Sequence, residues 1–131
     1  MEWKESYVQG LPRMDDTHRE FVACINRLAA ASDEEVVHAL EDLLAHTEEH
    51  FAQEDRWMEE SRFPPIHCHT GEHARVLDSL KQTLAIALQN NPGIGGIIAK
   101  ELESWFAQHA ATMDAALAAH MRRANYSDSP K

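Results

Sequence analysis

Apolar residues return every three or four positions along most of the chain, the period of a helix with one buried face. Met14, Phe21, Val22, Ile25, Leu28 and Ala29 form such a stripe and predict a first helix from Asp15 to about Ala31, with His18 inside the stripe. Ser32 followed three residues later by Glu35 resembles a capping box. The second helix it opens shows Val36, Leu40, Leu43, Thr47, Phe51 and Trp57 or Met58 on one face, together with His50 and Glu54. Arg62-Phe63-Pro64-Pro65 must interrupt it, because two prolines cannot continue a helix. A third helix is predicted from Ile66 to Gln89, with the stripe Ile66, His69, His73, Val76 or Leu77, Leu80, Leu84 and Leu88. Asn90-Asn91-Pro92-Gly93 is a turn. A fourth helix, from about Ile97 to His120, presents Leu102, Trp105, His109, Met113 and Leu117.

At the ends the pattern fails. Trp3, Tyr7, Val8 and Leu11 lack helical spacing and are interrupted by Gly10 and Pro12, so residues 1–13 are read as an extended arm laying aromatic side chains on the helices. Residues 121–131 are read as a polar, frayed tail. Four helices over residues 14–120 with short connections predict an all-α, up-down-up-down antiparallel four-helix bundle, one domain spanning 1–131.

Composition narrows the chemistry. Twelve Lys+Arg against 22 Asp+Glu leave a net charge of −10, which disfavours nucleic acid or an anionic membrane as partner. No apolar run is long enough for membrane insertion and no leader-like segment begins the chain. Two cysteines, Cys24 and Cys68, without C-x-x-C spacing suit a reducing, cytoplasmic compartment. Nine histidines are the outlier. Five of them, His18, His50, His69, His73 and His109, stand with Glu54 where leucines belong, and Asp114 lies five residues past His109. Burying so many polar groups is costly unless each finds a partner, and a metal could serve all of them. His50 with Glu54 and His69 with His73 have the i, i+4 spacing that stacks side chains on one helical face. Five imidazole nitrogens and two bridging carboxylates supply nine ligand atoms, too many for one ion. Two octahedral ions sharing an oxide or hydroxide would leave one position open. Imidazole and carboxylate without thiolate suit iron or manganese better than structural zinc.

The strings MDDTHREF, HFAQE, HTGEH and HAATMD resemble the hemerythrins, in particular their bacterial single-domain kind, over nearly the whole chain. The resemblance implies a non-haem pair of irons cycling between ferrous and ferric states. One would be held by His69, His73 and His109 and the other by His18 and His50, with Glu54, Asp114 and an oxo or hydroxo group bridging them. Dioxygen would add reversibly to the second iron, for storage, transport or delivery rather than enzymatic turnover. An oxygen-consuming protein would be a transient partner, and the chain is expected to be a monomer. Reversibility requires a dry pocket. Phe51, Trp105, Met113 and Leu117, each within a turn of His50, His109 or Asp114, are the candidate lining.

The alternatives are a diiron oxidase or peroxidase, an oxygen or redox sensor, and an iron store. The first uses Glu-x-x-His on two helices, and the only such spacing here, Glu35 to His38, lies off the constellation. His38, His46, His67 and His120 are read as surface or outlying groups, His46 as solvent-facing, Cys24 as a small core residue and Cys68 as pointing away from the cluster. The spacing of His109 and Asp114 is a misfit: in a regular helix they point roughly 140° apart. Either Asp114 reaches in from the flank or a π turn realigns it.

Overall fold

The computed structural model describes residues 1–129, with helices α1 (Pro12–Ala29), α2 (Val36–Glu60), α3 (Ile66–Leu88), α4 (Ile94–His109) and α5 (Ala115–Arg123). A π turn at Ala110–Asp114 joins α4 to α5 without a break, so the two act as the fourth rod. α2 packs on α1 and α3, while α4 closes onto α1 and α3, and the described residues contain no strand: a four-helix bundle. No helix among them is long and apolar enough to cross a membrane.

Helix boundaries differ from the pattern where backbone chemistry overrides side-chain periodicity. α1 starts at Pro12 rather than Asp15, since proline's fixed φ and missing N–H suit a first turn. α2 starts at Val36, after a turn that the Ser32 signal opens. Only half of the capping box forms, the Glu35 carboxylate accepting the Ser32 N–H at 2.9 Å. α4 starts at Ile94 rather than about Ile97 and runs through Gly95 and Gly96. Gly95 is a contact point: a Cβ there would lie 2.8 Å from Val36 Cγ1. Two expected core positions face outward, Ala29 and Leu88, and Leu88 is 64% exposed because Ala87 takes the inward position at the end of α3.

The apolar core has two parts. Phe21, Ile25, Leu28, Leu40, Leu43, Leu80, Leu102 and Phe106 belong to the larger; Met14, Trp57, Met58, Phe63, Leu117 and Met121 belong to the smaller. On every rod the buried histidines and carboxylates fall between residues of one part and residues of the other: Met14, His18, Phe21 on α1, and Leu43, His50, Glu54, Trp57 on α2. The polar side chains therefore form one layer with hydrophobic packing on both sides.

The arm and the tail as far as Asp128 are tied down. In the arm, Tyr7 lies in a 3-10 turn (Glu5–Tyr7) with its ring edge-on to Phe106, centroids 5.4 Å apart, and Trp3 packs edge-on to Tyr7. The Met1 ammonium binds Asn26 Oδ1. Gly10, with φ +82°, turns the chain so that the Gln9 and Gly10 N–H groups both donate to the Asp15 carboxylate. The tail, expected to fray, is docked as far as Asp128. Tyr126 packs on the smaller core, and the buried Asp128 carboxylate accepts the Arg13 and Met14 N–H groups at 2.7 and 3.1 Å. These are orphan donors of the first turn of α1, where a negative charge also meets the positive end of the helix. Asp128→Ala is expected to cost about 1 kcal/mol, the usual worth of such a cap, read as a lower urea midpoint at unchanged m-value.

Candidate metal centre

Seven polar side chains converge in the layer between the two cores: His18, His50, Glu54, His69, His73, His109 and Asp114, each at most 3% exposed. α2 supplies His50 and Glu54 and α3 supplies His69 and His73, both by i, i+4 stacking. α4 supplies His109. The next turn is a π turn, in which Ala115 N–H bonds to Ala110 O. Its extra residue rotates Asp114 back onto the face of His109, leaving Oδ1 3.1 Å from His109 Nε2. Of the two geometries open to the H-x-x-x-x-D spacing, this is the π turn. Gln9 Nε2 from the arm also donates to Ala110 O at 2.9 Å, bracing the turn.

Each carboxylate faces two ways. Glu54 Oε2 lies 3.0 Å from His18 Nε2 and 2.8 Å from His50 Nε2, while Oε1 lies 3.5 Å from His69 Nε2 and 3.3 Å from His73 Nε2. Asp114 Oδ2 lies 3.2 Å from His18 Nε2, and Oδ1 lies 3.1 Å from both His69 and His109 Nε2. Three imidazoles thus share one side and two share the other. Glu54 Oε1, both Asp114 oxygens and the Nε2 atoms of His69, His73 and His109 are buried without a well-formed hydrogen bond among the described residues. Buried polar atoms are ordinarily satisfied, and ligand atoms about 2.1 Å from one ion and at right angles to each other lie about 3 Å apart. Separations, orphaned atoms and donor types all fit metal binding. Ligand atoms of Glu54, His69, His73 and His109 are close enough to share one ion, as are those of His18, His50 and Glu54.

With protons in place of metal, the layer is an ion-pair cluster. Burial opposes charge on His18, but the Asp114 and Glu54 carboxylates outweigh it and raise its pKa to about 10. His69 rises to about 9 by the same contest. Burial acts to raise the Glu54 and Asp114 carboxyls, yet the surrounding imidazoles hold both below the usual carboxylate range. His50 moves down, burial prevailing.

Behind the candidate ligand atoms stand residues the pattern did not single out. His73 Nδ1 donates to Asp55 at 2.8 Å, and His109 Nδ1 donates to Glu72 at 3.0 Å. Glu72 also accepts the Trp105 indole N–H at 2.9 Å. Both carboxylates sit beside candidate ligands, inside HFAQED and HTGEH, so adjacency was the signal. Their helical direction, away from the apolar stripe, hid it. The four expected lining residues separate. Phe51 stacks on His73 at 3.9 Å and its ring lies 5.1 Å from His50. Trp105 stacks on His109 at 4.3 Å, and Trp105 and Met113 border a cleft of about 440 Å³ between α3 and α4. Leu117, fully buried, belongs to the smaller core. On the side of His18 and His50 the packing rings are Phe21 and Phe106, both fully buried, with Phe106 5.2 Å from His18 and Phe21 5.5 Å from His50.

The remaining histidines stay outside. His38 and His67 are exposed, and His120 donates to the Ser61 carbonyl at 2.7 Å. His46, expected to face solvent, is only 17% exposed at its side chain because its ring lies against Phe21. Cys24 is half-buried, its thiol pushed up by burial, and Cys68 is exposed.

A histidine-rich cluster with bridging-type carboxylates inside a four-helix bundle defines a class of metal-binding helical proteins. Residues 9–121 match the family model for the hemerythrin HHE cation binding domain. The chain is also 40% identical over 114 residues to a bacteriohemerythrin of Ralstonia nicotianae, covering 87% of this chain and 83% of that protein. The chain belongs to the hemerythrin family.

Proposed function

We propose that the layer holds two iron ions and that the protein binds dioxygen reversibly. His69, His73 and His109 would hold one ion and His18 and His50 the other, with Glu54 and Asp114 each giving one oxygen to either. The observation that carries this reading is the two-way division of both carboxylates between a trio and a pair of buried imidazoles. Bound iron would supply the electrons that dioxygen takes up on arrival and returns on leaving.

The chain's own residues do the rest. Five neutral imidazoles and two carboxylates leave the trio better supplied with ligands than the pair, so the open position falls beside His18 and His50. Phe21, Phe106 and Phe51 surround that position, and Leu117 follows Asp114 by a turn, so water and stray protons are kept from the bound gas. Trp105 acts differently from a lining residue, because its indole N–H holds the Glu72 carboxylate that in turn orients His109.

The test is anaerobic loading with ferrous iron, metal analysis, then alternating air and argon in a spectrometer. Two irons per chain and a charge-transfer absorption that appears in air and fades under argon are expected. One metal per chain, chiefly zinc, or a band that never reverses would overturn the proposal.

A further inference from the structure

The two halves of the layer differ in what stands behind their histidines. An imidazole that offers Nε2 to a metal carries its proton on Nδ1. A carboxylate accepting that proton fixes the ring and makes it a stronger donor, and removing such a partner usually lowers metal affinity 10–100-fold. On the trio side, Asp55 accepts from His73 Nδ1 at 2.8 Å and Glu72 accepts from His109 Nδ1 at 3.0 Å. Glu72 is itself anchored by Trp105. On the pair side, the Nδ1 atoms of His18 and His50 are both buried with no hydrogen-bond partner among the described residues. His69 Nδ1 also lacks one, so the contrast is two backed rings of three against none of two. Asp55 and Glu72 also bring two negative charges near the trio.

From this asymmetry we infer that the two positions load in order: a divalent cation enters the His69, His73, His109 position first and leaves it last, with Asp55 and Glu72 as the positioning residues that set the difference. One-equivalent protein is then a defined species with the His18, His50 position free. The inference rests on the two-metal reading above and adds an order of filling and the residues responsible.

Cobalt(II) is the probe. Apo protein is titrated with Co2+ in visible absorption, and loaded protein is then challenged with excess chelator. The expected result is two spectrally distinct equivalents and a biphasic release, the phases differing by about tenfold or more. Asp55→Asn and Glu72→Gln keep side-chain shape at positions that are partly exposed, 40% and 22% at the side chain. Each should shift the absorption of the first equivalent and speed the slow phase about tenfold, while the fast phase and the second equivalent's spectrum stay as in the unaltered protein. A general loosening of the fold would change both phases alike. Two cobalt ions taken up and released in a single phase, or both phases accelerated equally in the variants, would overturn the inference while leaving the two-metal reading intact. Binding of fewer than two ions by the unaltered protein would remove that reading and this inference with it.

Discussion

On the proposed two-ion reading, Glu54→Ala is expected to abolish metal binding at both positions in one step. Its carboxylate is the single group within 3.5 Å of imidazoles on both α2 and α3 as well as α1, and it belongs to both sets of residues able to share an ion. Its loss takes one oxygen from each position and also leaves buried imidazoles facing a void. Metal content should fall from two per chain to fewer than one. The loaded form should lose the stabilisation that binding confers, about 4 kcal/mol for each ion held at a thousand times its dissociation constant, or roughly 15 °C in Tm per ion at about 4 °C per kcal/mol. Glu54→Gln, which keeps the shape without the charge, should also lose metal. His38→Ala, at a side chain 80% exposed, should change neither metal content nor Tm. Wild-type metal content in Glu54→Ala would end the bridging assignment.

The stability gained on metal loading should widen as pH rises from 7 to 10. In the metal-free protein His18 and His69 titrate at about 10 and about 9, above the ordinary imidazole value of 6.5. Groups raised in the folded state stabilise it fully below their unfolded value, and that contribution disappears as pH climbs through the folded one. Glu54 and Asp114 are shifted the other way, so their contribution is present above the ordinary carboxylate range and fades as pH falls through and below it. The apo form should therefore be most stable between about pH 5 and 7 and weaken toward pH 10. Metal requires neutral imidazoles, so the loaded form gains affinity over that same alkaline interval. Differential scanning calorimetry of both forms at pH 7, 8, 9 and 10 should show apo Tm falling while loaded Tm holds. Parallel curves would show that the imidazoles are not protonated in the apo cluster.

Much of this site was legible because helical periodicity is a local property. A histidine that falls on a stripe of apolar residues three, four or seven positions away points inward whatever the partner helices are, and that placed His18, His50 (between Leu43 and Trp57), His69, His73 and His109 before any tertiary contact was known. The same logic found Glu54 through its i, i+4 relation to His50. Periodicity alone did not place Asp114, which a regular helix turns away from His109; the five-residue spacing left a flank approach and a π turn open, and the structure has the π turn. The turn persists where Asp114 gains buried imidazole partners and Gln9, 101 residues away in sequence, donates to Ala110 O.

The residues outside the apolar stripes show where local pattern ends. Asp55 and Glu72 lie off the apolar stripes and carry no signal there, and only the approach of neighbouring helices makes them partners of His73 and His109. The polar tail reads as frayed, yet Asp128 finds two unpaired N–H groups at the start of α1. Local spacing by itself determined that there are four helical rods, the inward face of each and the polar side chains carried there, because those follow from 3.6 residues per turn. Tertiary structure alone decided which oxygen faces which imidazole, which Nδ1 atoms are backed by carboxylates and which rings close the layer on the side of His18 and His50. Those depend on distances between chain segments tens of residues apart, which close packing of the bundle sets.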